Sequence, residues 1–387
     1  MKFRNCLILV LFLVISLTSF SESPTDKVWD IAFSPKYVWL AYSNGIVSVN
    51  APLDGVLRRY DRAEQSWRTF TIEEIFGVSF EANVIAVATD EDDAVWVGIE
   101  PLAGHSAPFS CAYSHDEGET WTPLSTGDGI AANAVKCIEI DPVSKTVWLG
   151  HGLNEAYNSI SRSTDGGSSW TQISPNSNYG IIQIEAYNNT VWAGADFHQD
   201  VILIKSVNNG ESWEEFDESD CPCFDDYNDI TDVYMVSQNE VHCSVFCRFS
   251  ENSSSGAYCF TADGGETWTE SAIQSYDEWG QTVTVDENGA AWVGVRFDSQ
   301  YHIYRTENDG VSWAGFAYPS PLPYHDPFVI RYDKYADIVW AGFWSDSFTN
   351  YEKGWCWTDD NGQSWSENNP PAVVWSSAEE SLWRLYD

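Results

Sequence analysis

Short apolar runs punctuate the chain, separated by clusters of residues that favour turns. One run recurs as VWLA (from Val38), VWVG (Val95), VWLG (Val147), VWAG (Val191), VHCS (Val241), AWVG (Ala291) and VWAG (Val339). Another apolar run precedes it, as in CIEID, IIQIEAY, VTVD and VIRYD. A polar cluster follows, with the order Ser/Thr, any, Asp/Asn, any, Gly, any, Ser/Thr, Trp. It occurs as SHDEGETW (Ser114–Trp121), STDGGSSW (Ser163–Trp170), SVNNGESW (Ser206–Trp213), TADGGETW (Thr261–Trp268), TENDGVSW (Thr306–Trp313) and TDDNGQSW (Thr358–Trp365). A seventh copy, YDRAEQSW (Tyr60–Trp67), keeps the final Ser-Trp and lacks the Gly. Each unit therefore predicts four short strands, with the polar cluster as the turn between the third and the fourth.

The residue types in the cluster suit that turn. The Ser/Thr hydroxyl and the Asp/Asn side chain accept hydrogen bonds from nearby backbone N–H groups. Gly supplies positive φ. Trp opens the fourth strand and offers a broad face to the neighbouring sheet. Asp116, Trp121, Asp165, Trp170, Asn208, Trp213, Asp263, Trp268, Asn308, Trp313, Asp360 and Trp365 are accordingly structural expectations, as are the Trp residues of the second strands.

Seven such units point to an all-β fold, a β-propeller of seven four-stranded blades. A final hairpin, AVVW (Ala372–Trp375) and SLWRLYD (Ser381–Asp387), completes or covers the closure; eight blades with a partial last one is the alternative. The clusters resemble the Asp-box (bacterial neuraminidase, BNR) repeat of sialidases, xyloglucan hydrolases, sortilin-type receptors and the photosystem II stability/assembly factor group. The first unit resembles the two-component-regulator propeller repeat. The resemblance implies the fold and leaves the activity open, because these repeats occur in enzymes and non-enzymes. It also implies that the polar turns lie away from the ligand face. That face is expected to be built from loops joining second to third strands and one blade to the next.

The N-terminus reads as an export signal. Lys2 and Arg4 precede an apolar stretch from Cys6 to Leu17, and small residues, Ser19 and Ser21, lead to a cut before Glu22. Residues 22–387 are then one domain, secreted or periplasmic, with no membrane span, and expected to be a monomer. Cleavage would take the net charge from −39 to −41. That charge argues against nucleic acid and anionic membrane surfaces. The partner class is an extracellular or envelope protein or a glycan.

Export also raises the question of the cysteines. A Cys247–Cys259 bridge is expected across a hairpin, with Cys221 or Cys223 reaching Cys243. Four thiolates holding zinc is the competing reading, placed second because C-P-C is not the usual knuckle spacing. No cofactor is expected, although the acidic stretch Asp217–Asp232 offers oxygen ligands for Ca²⁺. It lacks the EF-hand order, and a solvated acidic loop is preferred.

Candidate ligand-binding residues come from aromatic and acidic loops. They are Tyr276, Asp277, Glu278, Trp279, Arg296, Asp298, Tyr324, His325, Asp326, Trp344 and Asp346. Flat rings beside carboxylates can grip a sugar or a peptide. The favoured function is a non-catalytic protein- or glycan-binding scaffold. The enzymatic alternative is a glycoside hydrolase, sialidase-like or other, using carboxylates of the blade 5–7 loops. A sialidase needs three converging arginines. Here Arg296, Arg305 and Arg331 come from neighbouring blades, and Arg58, Arg59, Arg62 and Arg68 crowd into the first. The chain carries neither H-E-x-x-H nor G-x-S-x-G.

Overall fold

The computed structural model describes residues 25–45, 54–102, 105–152, 159–175, 180–196, 203–224, 228–247, 258–273, 279–296, 302–316, 327–343 and 354–370. Seven antiparallel sheets form a ring, a seven-bladed β-propeller, with blades at residues 25–71, 82–124, 137–173, 180–216, 228–271, 279–316 and 327–366. Within each blade the strands follow chain order from the inside outward. In blade 7 the outermost position is held by a single bridge, Trp357 to Ser366. The hairpin at residues 372–387 lies outside the described residues.

Tryptophan packing explains why the sheets stack. Trp39, Trp96, Trp148, Trp192, Trp292 and Trp340, all on second strands, are essentially fully buried. The Trp of one blade meets the turn Trp of the next edge to face: Trp96 with Trp170 at 5.9 Å, Trp148 with Trp213 at 6.4 Å, Trp192 with Trp268 at 6.0 Å and Trp292 with Trp365 at 6.3 Å. Such offset contacts are the favoured aromatic geometry. The turn glycine lies beneath the same ring. A Cβ on Gly167, whose φ is +90°, would stand 2.5 Å from Trp96, so the position needs both the left-handed backbone and the missing side chain.

The turns are closed by their own side chains. In the first, Ser114 Oγ donates to Asp116 Oδ1 at 2.8 Å and accepts from the Gly118 N–H at 2.8 Å. Asp116 Oδ1 accepts from the Thr120 N–H at 2.8 Å, and Oδ2 from the Thr120 hydroxyl at 2.6 Å. Asp165, Asp263 and Asp360 repeat the pattern. Asn208 and Asn308 keep the Oδ1 acceptor and turn their amide toward Ser212 and Ser312.

Blade 1 differs, with strands of 9, 9, 8 and 6 residues and no glycine turn. Its arginines fasten it to both neighbours. Arg59 donates to the Glu117 carbonyl and Arg68 to the Glu119 carboxylate, both in blade 2. Arg62 forms a buried bidentate pair with Asp333 of blade 7, at 2.7 and 2.9 Å. Ring closure is completed by an apolar cluster that joins Val28, Leu40 and Tyr60 to Val329, Trp340 and Trp355.

Candidate functional site: the central channel

The seven innermost strands surround a channel, and a local irregularity shapes its mouth. Every inner strand except that of blade 3 carries a β-bulge, in its N-terminal half or, in blade 1, at its middle. The bulged residues are Trp29, Ile85, Ile182, Thr231, Gln281 and Phe328. A bulge re-aims the extra side chain, and all six line one cavity of about 300 Å³ together with Lys136 of blade 3. Trp29 and Phe328 meet at 5.3 Å, with the Lys27 ammonium 3.3 and 3.6 Å from their rings. Lys136 pairs with Glu100.

Strand direction places this collar on the face made by second-to-third and blade-to-blade connections. Third strands run parallel to the inner ones, so the Ser/Thr-to-Trp turns that follow them lie at the opposite end.

Behind the collar lies an acidic interior. A second cavity, about 220 Å³, shares Asp30, Gln183 and Arg331 with the first and reaches Glu139, Glu185 and Tyr234. Asp30 accepts from the N–H groups of Ile31 (2.8 Å) and Val87 (3.0 Å), so it ties blade 1 to blade 2. Asp232 accepts from Val233 N–H (3.0 Å), Val283 N–H (3.0 Å) and the Thr282 hydroxyl (2.8 Å). Arg331 grips both oxygens of Asp232, at 2.7 and 3.2 Å. The same guanidinium also donates to the Val283 and Ile330 carbonyls.

One guanidinium thus faces four carboxyl groups. Burial pushes Asp30 up to about 6, against the pull of Arg331. Burial likewise pushes Glu185 up to about 8. Glu139 is raised well above the carboxylate range by burial, then by repulsion from Glu185, Asp141 and Asp30. Burial therefore favours the neutral form of both Glu139 and Glu185.

Arg331 was weighed only as one of three arginines and Asp232 only as the end of the acidic stretch, and Asp30, Glu139 and Glu185 were not singled out from the sequence, although a signal exists. In each blade the inner residue opposite the second-strand Trp or His occupies one equivalent place: Ala32, Ala88, Glu139, Glu185, Tyr234, Thr284 and Arg331. Polar residues there, inside runs otherwise apolar, mark the channel. The loop candidates Tyr276, Asp277, Glu278, Asp298, Tyr324, His325, Asp326, Trp344 and Asp346 lie outside the described residues. Trp279 and Arg296 are the first and last residues of blade 6's inner and second strands and pair with one another, and Trp279 also bridges to Phe246 of blade 5.

Arg331 and Arg305 do not converge. Arg305 lies over the Trp292 ring and pairs with Asp286 and Glu307, away from the channel. Of the acidic stretch, Asp217 and Asp220 cap their own turn and Asp232 is bound to Arg331. The strand register also places Cys259 opposite Cys243, not Cys247. Cys247 lies four residues further along, about 13 Å at strand spacing, too far for the expected bridge.

No protein-family model matches the chain, and no curated protein does. Solved structures do. A structure titled YCF48 bound to D1 peptide is 13% identical, covers 83% of this chain and 92% of its own, and has a TM-score of 0.57. YCF48 from Cyanidioschyzon merolae is 15% identical over 75% of this chain and 85% of its own, with a TM-score of 0.50. Virginiamycin B lyase from Staphylococcus aureus is 17% identical over 71% and 81%, with a TM-score of 0.51. At these identities the likeness is one of fold.

Proposed function

We propose that the protein is a non-catalytic binding propeller that takes an extended peptide segment at the collar of its channel. One observation carries this reading: the carboxylates described at the mouth are already committed. Both oxygens of Asp30 accept from backbone N–H groups. Both oxygens of Asp232 are held by Arg331 and by backbone or hydroxyl donors. A glycosidase requires one free nucleophile or base and one free acid; at this mouth Asp30 and Asp232 are not free, and Glu100 pairs with Lys136. The collar instead offers rings, aliphatic chains, an amide and a hydroxyl on rigid strands, the mixture that reads a peptide. A peptide-bound propeller among the structural neighbours is consistent with this use.

The wider reading includes an Asp-box propeller of residues 22–387, exported to the periplasm or medium after removal of residues 1–21. Among the described residues no helix is long and apolar enough to cross a membrane. No cofactor is part of this proposal, and Ca²⁺ at Asp217–Asp232 stays second to a solvated acidic loop, since Asp217 and Asp220 cap their own turn and Asp232 is held by Arg331.

The test is to present the mature protein to peptide and glycan arrays and to assay sugar release from neutral polysaccharides and sialosides. Saturable peptide binding, lost in Trp29→Ala and Gln281→Ala without loss of folding, is expected. Retention on a glycan alone would move the reading to a lectin. Sugar release abolished by Asp277→Ala or Asp326→Ala would replace it with a glycosidase.

A further inference from the structure

Blade 5 departs from its sisters in one chemical respect. At the third residue of the VW run the other blades carry Leu40, Val97, Leu149, Ala193, Val293 and Ala341, whereas blade 5 carries Cys243. Directly opposite on its third strand is Cys259. The connection from blade 4 adds Cys221 and Cys223, on either side of Pro222. All four are buried, at most 1% exposed, within an apolar shell that includes Trp192, Phe216 and Phe224.

Three of the four sulfurs converge, with Cys243 beside them across the ladder. Those of Cys221, Cys223 and Cys259 lie within 4.8 Å of one another. Cys259 Sγ contacts three thiols, those of Cys221, Cys223 and Cys243. The Cys221 and Cys223 sulfurs are 2.7 Å apart, and none of the four is in a disulfide. Disulfides would sort four sulfurs into two exclusive pairs. Three sulfurs mutually close, with a fourth, Cys243, paired directly opposite Cys259, are instead a set that a shared ion can gather. A tetrahedral Zn–S shell with bonds of about 2.3 Å sets its sulfurs roughly 3.7 Å apart, so the Cys221–Cys223 pair, 2.7 Å apart here, would open by about 1 Å on binding. The donor set is soft, which suits zinc and excludes Ca²⁺ or Mg²⁺. By contrast Cys111, Cys137 and Cys356 are buried singly in other blades.

We propose that Cys221, Cys223, Cys243 and Cys259 form a structural zinc site that pins the blade 4–5 connection into the core of blade 5. Each thiol gives up its proton on binding, and the dication offsets the thiolate charge that the apolar shell could not otherwise hold. The site lies in the blade wall, apart from the channel, and does not depend on what the collar binds.

The experiment measures metal by elemental mass spectrometry on the full mature chain, purified with zinc present and without chelators. Cobalt replacement and alkylation in denaturant without reductant accompany it. The expected result is one zinc per chain, a thiolate-to-cobalt charge-transfer band on replacement, and thiols that become alkylatable only on unfolding or metal removal. Cys259→Ser and Cys221→Ser should lose the metal, and Cys356→Ser should keep it. The wild-type metal count stands even if a Cys variant fails to fold. Four sulfurs that resist alkylation with no metal bound would show two disulfides and overturn the proposal. So would four free thiols that take up neither zinc nor cobalt, or copper bound in place of zinc.

Discussion

The turns at the rim and the channel at the centre use the same chemical group in opposite ways. Asp116 and Asp263 sit in the open, and hydroxyl and N–H donors from Thr120 and Thr267 bring their carboxyls down to about 2. Asp30 and Glu185 sit in the channel, and burial pushes them up to about 6 and about 8. At the rim the donors come from the same eight residues, so each turn is electrostatically complete before any blade packs. In the channel the neighbours come from other blades, and assembly removes water faster than it supplies counter-charge. Local structure therefore stabilises the rim carboxylates, and the channel is where the fold concedes stability, a common property of functional sites.

Removing the guanidinium that faces the channel carboxyls should have the largest effect. Arg331→Met leaves Asp232 buried and unpaired and should cost about 3–5 kcal/mol in urea unfolding at neutral pH. The double variant Arg331→Met/Asp232→Asn should recover part of that loss. If the single variant unfolds like wild type, the channel is wetter than its geometry implies.

Next comes a paired test at one turn. Gly167→Ala drives a Cβ into Trp96 and should cost about 2–4 kcal/mol, combining overpacking with left-handed strain. Gly166→Ala, at φ +68° with open space around it, should cost only about 1–2 kcal/mol. Equal losses would mean that the glycine is required for backbone conformation alone.

The pH dependence separates the two regions more finely. A carboxyl raised on folding stabilises the native state below its unfolded value, and that contribution is lost as pH climbs through the folded one. For Glu185 the window runs from the ordinary 4.5 to about 8. Glu185→Gln should flatten stability across this range and raise it at pH 8–9 by roughly 1–3 kcal/mol, read from thermal melts. An unchanged pH profile would remove Glu185 from the account.

Asp116→Asn should have the smallest effect, within about 0.5 kcal/mol at pH 7, since Asn208 and Asn308 already hold the same turn. Its signature lies at low pH. A carboxyl lowered on folding contributes above its unfolded value and loses that contribution as pH falls toward about 2. The variant should blunt the acid limb of the melting curve. A large loss at pH 7 would show that the turn needs charge and not only acceptors.

The fold was legible because its evidence is short-range. The Ser/Thr, Asp/Asn and Gly of each turn satisfy one another across two to four residues. The Trp that follows repeats at a spacing of 43 to 55 residues, so seven units could be counted, with only the role of the last hairpin left open. The channel was not legible in this way. Asp30, Glu139, Glu185, Asp232 and Arg331 come from five blades and share no local motif. Runs such as CIEID and VIRYD look like ordinary strands until the ring closes and turns Glu139 and Arg331 toward one axis.

The cysteines follow the same division. Their clustering in blade 5 is visible in the sequence, but their partners depend on register, which places Cys259 opposite Cys243. By itself the sequence determined what adjacent residues can settle among themselves, namely the turns, the strand pattern and the repeat of the four-stranded unit. Which carboxyls share one guanidinium, which side chains the bulges aim into the mouth, and which sulfurs meet were decided only by tertiary structure. These contacts span tens to hundreds of residues, and closing the ring is what brings them within reach.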